Sequence, residues 1–249
     1  VSGARELEGK VALVTGGSRN IGRAIVLELA AAGAQIAIIT RTDTRAAQAV
    51  AKEAQRHGVE CRSWIADVTD ETAVMRTLAA VARSFGGLDI LVNNAAVRTE
   101  IEFARMSLQQ WHEVLAVTLD GAFLCTRTAL PFLTASDAGC IVNIGGLSAY
   151  SGAARRAHVV TAKAGLGGFT RALAVELAEH AVTVNLVAPG LIDTARTGAA
   201  PHHHATSKTL LGRSGTPQEV AALVRYLAGP RARYVTGQTL HINGGAWLG

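Results

Sequence analysis

Short apolar runs alternate along the chain with longer stretches in which apolar residues recur every three or four positions. Residues 11–14, 35–39, 60–66, 88–92, 139–144, 182–187 and part of 237–245 are the short runs. A strand covered on both faces needs no polar alternation, so these read as buried parallel strands. The intervening residues 21–32, 42–57, 70–85, 107–130, 156–179 and 217–227 carry the helical period. Asp70 is placed to cap the third helix, Gly86-Gly87 to end it, and Pro217 to open the last. Strands alternating with helices at this rhythm demand parallel pairing and right-handed crossovers. The pattern predicts one domain over residues 1–249: a doubly wound α/β fold with about seven parallel strands flanked by helices, of Rossmann type.

The first strand stops at Thr15-Gly16-Gly17, and Ile21-Gly22 opens the helix behind it. Glycines let a phosphate approach the backbone, and the unpaired N–H groups of a helix N-terminus favour negative charge. The spacing Thr15-Gly16-x-x-x-Asn20-Ile21-Gly22 resembles the nucleotide-binding turn of the short-chain dehydrogenase/reductase family. That family has glycine where this chain has Asn20, and asparagine is the next most tolerant residue of a left-handed backbone.

Further motifs follow in the family's order. Asp67-Val68 resembles its adenine-contacting pair, Asn93-Asn94-Ala95-Ala96 its Asn-Asn-Ala-Gly, and Pro189-Gly190-Leu-Ile192-Asp-Thr194 the element over the nicotinamide. The resemblance runs from Leu7 to Gly245 and implies cofactor contacts from Gly16, Ser18, Arg19, Asn20, Ile21, Gly22, Thr40, Arg41, Asp67, Val68, Asn94, Ala95, Lys163, Pro189, Gly190, Ile192 and Thr194. At the end of the second strand an acidic residue would take the adenosine ribose hydroxyls. Thr40 stands there, followed by Arg41, with Arg19 in the glycine turn. Neither Thr40 nor Arg41 repels a 2′-phosphate and Arg41 can pair with it, which points to NADP(H). Residues 191–214, rich in small side chains and histidine, correspond to the family's substrate lid.

Composition narrows the setting. Hydrophobic residues make up 49% of the 249 and charged residues 17%, a well-buried globular balance. No run of about eighteen unbroken apolar residues occurs, so no membrane span is expected, and the N-terminal residues lack a signal-peptide core. Cys61, Cys125 and Cys140 are odd in number and far apart, which fits a reduced, cytoplasmic protein without bridges or a metal site. His202-His203-His204 are consecutive and cannot all face one ion, so no metal is expected. The net charge of +5 is spread along the chain, which disfavours nucleic acid and suits an anionic cofactor or an acidic carrier.

The catalytic positions depart from the family pattern. Its members place a tyrosine four residues before a lysine, so that both share a helix face and the ammonium lowers the tyrosine's pKa. They add a serine after the fifth strand and an asparagine on the preceding helix. Here Lys163 is present, but the tyrosine position is Val159, the serine position Gly146 and the asparagine position Thr118. Valine and glycine cannot donate a proton. Losing a general acid costs roughly 10²–10⁴ in rate, and losing an oxygen-binding donor about 10²–10³.

Candidate substitutes are Ser148 and Tyr150, in the loop after Gly146, and His158, beside the vacant tyrosine position. Each has a plainer reading: loop residues bonding backbone or water, and a histidine rotated about 100° from the required face. Arg155 and Arg156 read as solvent-facing, open to recruitment by an anionic substrate. Lys163 reads either as a ligand of the nicotinamide ribose or as a new acid–base or Schiff-base group. Three functions remain open. One is an NADP(H)-dependent oxidoreductase closest to the 3-oxoacyl-carrier-protein reductase branch, acting on a small carbonyl, alcohol or acyl-thioester substrate. The others are a non-redox lyase, isomerase or hydrolase, and a silent NADP-binding subunit paired with an active relative. The resemblance also implies a homotetramer or homodimer built on the helices at 107–130 and 156–179.

Overall fold

The structure is a computed structural model in which residues 5–195 and 209–248 are described. Seven strands form one parallel sheet in the order β3-β2-β1-β4-β5-β6-β7. They are β1 Val11–Thr15, β2 Gln35–Thr40, β3 Cys61–Ile65, β4 Ile90–Asn93, β5 Cys140–Ile144, β6 Thr183–Pro189 and β7 Thr239–Ile242. The doubly wound α/β architecture expected from the sequence is therefore the one observed.

Helices cover both faces: α1 Asn20–Ala31, α2 Thr44–Gln55, α3 Glu71–Phe85, α4 Leu108–Leu115, α5 Gly121–Leu133, the short α6 Ser148–Ser151, α7 Ala157–Glu176 and α8 Pro217–Ala228. β1 shows how the core is shared. Ala12 and Val14 point into a cluster with α1, α2 and α8, whereas Val11 and Leu13 point into one with α3 and α5. Period-two alternation thus persists, but both faces are apolar because both are buried.

Local signals mark the boundaries. Asp70 accepts the Ala73 N–H at 2.9 Å and Gly86 ends α3 with φ 84°. At α8, Thr216 and Glu219 form a capping box with Pro217 in the first turn. Two features depart from the pattern reading. The helix over 107–130 contains a π turn, Ala116–Asp120, between α4 and α5, and the residues after Gly146 form the helical turn α6 rather than a loop. Joined through the π turn, Leu108–Leu133 is a 26-residue helix long and apolar enough by composition to cross a membrane. The apolar-run argument passes over it because polar residues interrupt it. In the fold Ala122, Cys125, Ala129 and Leu133 are buried against the sheet and neighbouring helices, as in a core helix.

Strand order reverses between β1 and β4, so the connections leaving their carboxyl ends diverge and open a crevice. Ligands bind parallel α/β sheets at such a point. The β1 and β4 ends carry Thr15-Gly16 and Asn94-Ala95.

Candidate active site

The glycine turn is built around Thr15 and Asn94. Thr15 Oγ1 accepts the backbone N–H groups of Asn94 and Ala95, both at 3.0 Å. The Asn94 side-chain amide donates back to the Thr15 and Gly16 carbonyls at 2.9 and 3.1 Å. Four bonds therefore lock the ends of β1 and β4 together. Gly22 permits this closeness: a Cβ there would lie 2.2 Å from the Gly16 carbonyl oxygen and 2.6 Å from Asn94 Nδ2. Asn20 has φ 49°, the left-handed conformation expected of the residue replacing glycine, and Gly16 has φ 66°.

α1 begins with no side-chain cap and no acidic residue in its first turn. Its N-terminus faces a cavity of about 330 Å³ lined by Ser18, Arg19, Asn20 and Arg23 on one side and Asp193, Thr194 and Ala195 on the other. A helix N-terminus with an arginine beside it fits a phosphate chemically. Ile21 is buried in the α1 core. Thr40 is buried with its hydroxyl 3.5 Å from that of Ser18. Arg41 extends into solvent, 4.0 Å from Asp67, a separation and exposure at which an ion pair contributes little. Asp67 Oδ1 holds the Thr69 N–H and hydroxyl, and Val68 packs on Gly121 at the start of α5. Gly190 lies against Asn243, Ile192 is buried and bridges to Gly215, and Pro189 ends β6. The residues singled out for a dinucleotide thus lie at the carboxyl edge of the sheet. Of the lid, residues 196–208, His202, His203 and His204 included, lie outside the described residues.

The catalytic face centres on Lys163, which is 4% exposed and donates from Nζ to the Ile144 carbonyl oxygen at 2.5 Å. Burial, and then the charges of Arg98 and Arg156, bring its pKa down to about 7. Gly165 lets α7 approach the π turn, since a Cβ there would sit 2.9 Å from Leu119. Val159 is buried with Val114 and Ala162 in an apolar cluster. A Cβ on Gly146 would meet nothing within 4 Å, so the serine position is open space. Thr118 lies within the π turn, and its buried hydroxyl has no hydrogen-bond partner among the described residues.

The candidate substitutes divide. Tyr150 donates its hydroxyl to Thr239 Oγ1 at 3.1 Å and meets the His241 ring edge-on and the Trp247 ring at a tilt, with centroids 4.6 and 5.3 Å away, on the β7 side of α6. His158 is fully buried, with Nε2 2.8 Å from the Thr99 hydroxyl. Burial lowers its pKa, favouring the neutral ring. Ser148 is half-buried at the start of α6. Arg155 is exposed, as expected, with φ 63°. Arg156 is not solvent-facing: it is 7% exposed at the N-cap of α7. The α7 boundary at Ala157 places it at the turn into the helix, where the chain folds back against the segment after β4.

Arg98 and Thr99 carry no sequence signal of their own. They fall between two recognisable motifs, and only the tertiary fold brings them to α7. Thr99 meets His158, and the Ile101 N–H donates to the Arg155 carbonyl at 2.7 Å.

The family model described as Enoyl-(Acyl carrier protein) reductase matches residues 16–246. The chain is 42% identical over 244 residues to the 3-oxoacyl-[acyl-carrier-protein] reductase FabG of Aquifex aeolicus, covering 96% of this chain and 98% of that one. It is 40% identical over 245 residues to the protein of the same name from Vibrio cholerae, covering 97% and 99%. A short chain dehydrogenase from Burkholderia cenocepacia, solved in complex with NADP, superposes with a TM-score of 0.92 at 37% identity, covering 97% and 99%. With the sheet order, the glycine turn and the retained lysine, these likenesses place the chain in the short-chain dehydrogenase/reductase family.

Proposed function

We propose that the protein is an NADP(H)-dependent oxidoreductase that acts on a carbonyl or alcohol substrate through an active site lacking the usual serine and tyrosine. The retained dinucleotide turn, with Gly22 packed against Gly16 and Asn94, carries this reading. The N-terminus of α1 with Ser18 and Arg19 would hold the phosphates, Arg41 the 2′-phosphate, and Lys163 the nicotinamide ribose. The cofactor, when bound, supplies or accepts a hydride at the substrate carbon. The solved NADP complex of a 37% identical relative supports the choice of cofactor.

The proton must come from elsewhere than position 159. Tyr150 is committed to Thr239 and His158 to Thr99. Lys163 is committed likewise, to the Ile144 carbonyl at 2.5 Å. We therefore assign proton transfer at the substrate oxygen to Ser148 or water in the space left by Gly146. The substrate class extends to acyl thioesters, as the names of the curated relatives indicate for those proteins. The family's oligomeric habit makes a homotetramer or homodimer part of the same proposal, as is a cytoplasmic location.

A second reading is a non-redox enzyme or silent subunit on the same scaffold. The apolar packing of Val159 and the empty space at Gly146 favour it. NADPH oxidation against ketones and 3-oxoacyl thioesters separates the two, run beside a Gly146→Ser/Val159→Tyr double variant. Turnover by the unmodified protein comparable with the variant supports the oxidoreductase. Turnover by the variant alone, about 10²-fold or more above the unmodified protein, sinks it.

A further inference from the structure

We infer that Asn143 and Thr170 are positioning residues for Lys163: their hydrogen bond sets the register of α7 on β5, and so where the lysine ammonium stands. The inference rests on the proposed role of Lys163 in holding the nicotinamide ribose. It begins from a buried polar chain that the dinucleotide turn and the catalytic face share. Asn93 and Asn143 are direct partners across β4 and β5. Asn93 Nδ2 donates to Asn143 Oδ1 at 2.9 Å and to Thr126 Oγ1 of α5 at 3.1 Å. Asn143 Nδ2 donates onward to Thr170 Oγ1 of α7 at 2.9 Å. All four side chains are buried. At one end the next residue, Asn94, holds the Thr15 and Gly16 carbonyls of the dinucleotide turn. At the other, Ile144 follows Asn143 and its carbonyl takes the Lys163 ammonium.

Apolar contacts would hold these elements together without burying amides. Asn93 Oδ1 is buried and lacks a partner among the described residues, a penalty that packing alone would not incur. What the hydrogen bonds add is a fixed register, because a buried polar pair tolerates no sliding whereas an apolar face does. α7 needs that restraint. Gly165, Gly167 and Gly168 lie between Lys163 and Thr170, and glycines weaken a helix interior. Lys163 cannot set the register itself, since its flexible four-carbon stem can follow the Ile144 carbonyl over a range of helix positions. Thr170 can, because its hydroxyl is one bond from a stiff β-branched carbon. It lies seven residues after the lysine, within about 20° of the same helix face. Thr126 takes the other branch of the chain, to α5.

The test compares Thr170→Val with Thr126→Val, two changes of matched shape that each strand one amide N–H of the same chain. NADPH, and 2′,5′-ADP, which lacks the nicotinamide ribose, are titrated onto the full chain. Thr170→Val should weaken NADPH about tenfold and leave 2′,5′-ADP within twofold, whereas Thr126→Val should leave both within twofold. Thr170→Ser keeps the hydroxyl and should restore NADPH binding. Equal effects of the two valine variants, or a Thr170→Val loss shared by 2′,5′-ADP, overturn the proposal, since a merely weakened fold acts on both ligands. If Thr170→Val does not fold, the double variant Asn143→Val/Thr170→Val, which removes donor and acceptor together, takes its place. A native protein that binds neither ligand, or NADPH no more tightly than 2′,5′-ADP, removes the ribose reading of Lys163 instead. Positioning is then decided by unfolding between pH 7 and pH 9, where the buried ammonium makes stability rise. That rise should shrink in Thr170→Val and persist in Thr126→Val. The same rise in both overturns the proposal.

Discussion

Val159 and Lys163 stand one turn apart on the buried face of α7, 3% and 4% exposed, with opposite surroundings. The valine joins Val114 and Ala162 in an apolar cluster, whereas the lysine reaches the Ile144 carbonyl at the end of β5. The lysine is therefore held by the strand, and its position does not depend on a tyrosine phenol. Thr170, two turns further along α7, accepts from the Asn143 amide at 2.9 Å, and Asn143 in turn accepts from Asn93 at 2.9 Å. Adjacent residues of β5 thus grip α7 at two points. The scaffold around the lysine is thus held in place although position 159 carries a valine.

The buried lysine makes stability depend on pH. Its pKa falls from the ordinary 10.5 to about 7 on folding, so the unfolded chain binds more protons between those values. Stability from this group therefore rises with pH from about 7 towards 10.5 and is flat below 7, with a slope of at most ~1.4 kcal/mol per pH unit. Urea unfolding of the protein and of Lys163→Met at pH 7 and pH 9 isolates it. The stability difference between the two should shift towards the native protein at pH 9. A difference independent of pH would show that the ammonium is not perturbed.

The dinucleotide turn separates two kinds of glycine requirement. At Asn20 the demand is on φ alone, 49°, and Asn20→Ala should cost about 1 kcal/mol while Asn20→Gly changes stability by a few tenths. At Gly22 the demand is on space. Gly22→Ala forces a Cβ to 2.2 Å from a backbone oxygen and should cost on the order of 3 kcal/mol, with loss of NADPH binding. Thermal unfolding and NADPH fluorescence titration of the three variants check the order. A well-folded Gly22→Ala protein that still binds NADPH would contradict the account.

In the proposed cofactor assignment, the arginine after β2 is the residue expected to read the 2′-phosphate. Arg41 is 63% exposed in its side chain and only 4.0 Å from Asp67, so a phosphate competes with little opposition. Arg41→Glu should weaken NADPH binding about tenfold or more and leave NADH within a few-fold. Equal losses for both cofactors would mean that Arg41 supports the fold around Thr40 rather than reading the 2′-phosphate.

Much of this was legible because strands and turns announce themselves locally. The runs at 11–14 and 35–39 are buried on both faces, and Asn20 takes the left-handed φ that its place in the motif requires. The boundaries shifted by one to three residues because cap geometry, not hydrophobicity, ends a helix. The π turn at Ala116–Asp120 has no periodic signature, since five-residue bonding leaves the apolar pattern on either side intact. Arg156 was misplaced for a different reason. Charge is ordinarily read as exposure, but here residues 99 and 101 are tied to the start of α7 on either side of Arg156. Those contacts join residues 54 and 59 apart, and no local pattern carries them.

Tyr150 tests whether nearness in sequence to the vacant serine position confers a catalytic role. Its hydroxyl donates to Thr239 on β7, and its ring forms a three-ring cluster with His241 and Trp247, whose own ring centroids are 4.5 Å apart. An edge-on aromatic contact and one partly buried hydrogen bond fix the short helix α6 to the last strand. Tyr150→Phe keeps the ring and removes the bond. It should lower stability by about 1 kcal/mol, roughly 2–4 °C in Tm at this chain length, and leave kcat and KM of any NADPH-dependent turnover within twofold. A loss of kcat of about 10²-fold with unchanged Tm would reverse the assignment, because only a hydroxyl that reaches the substrate could give it. A loss of both would leave Tyr150→Leu as the deciding variant. If the ring's packing is what matters, Tyr150→Leu unfolds at lower temperature than Tyr150→Phe, and activity falls in step with the folded fraction.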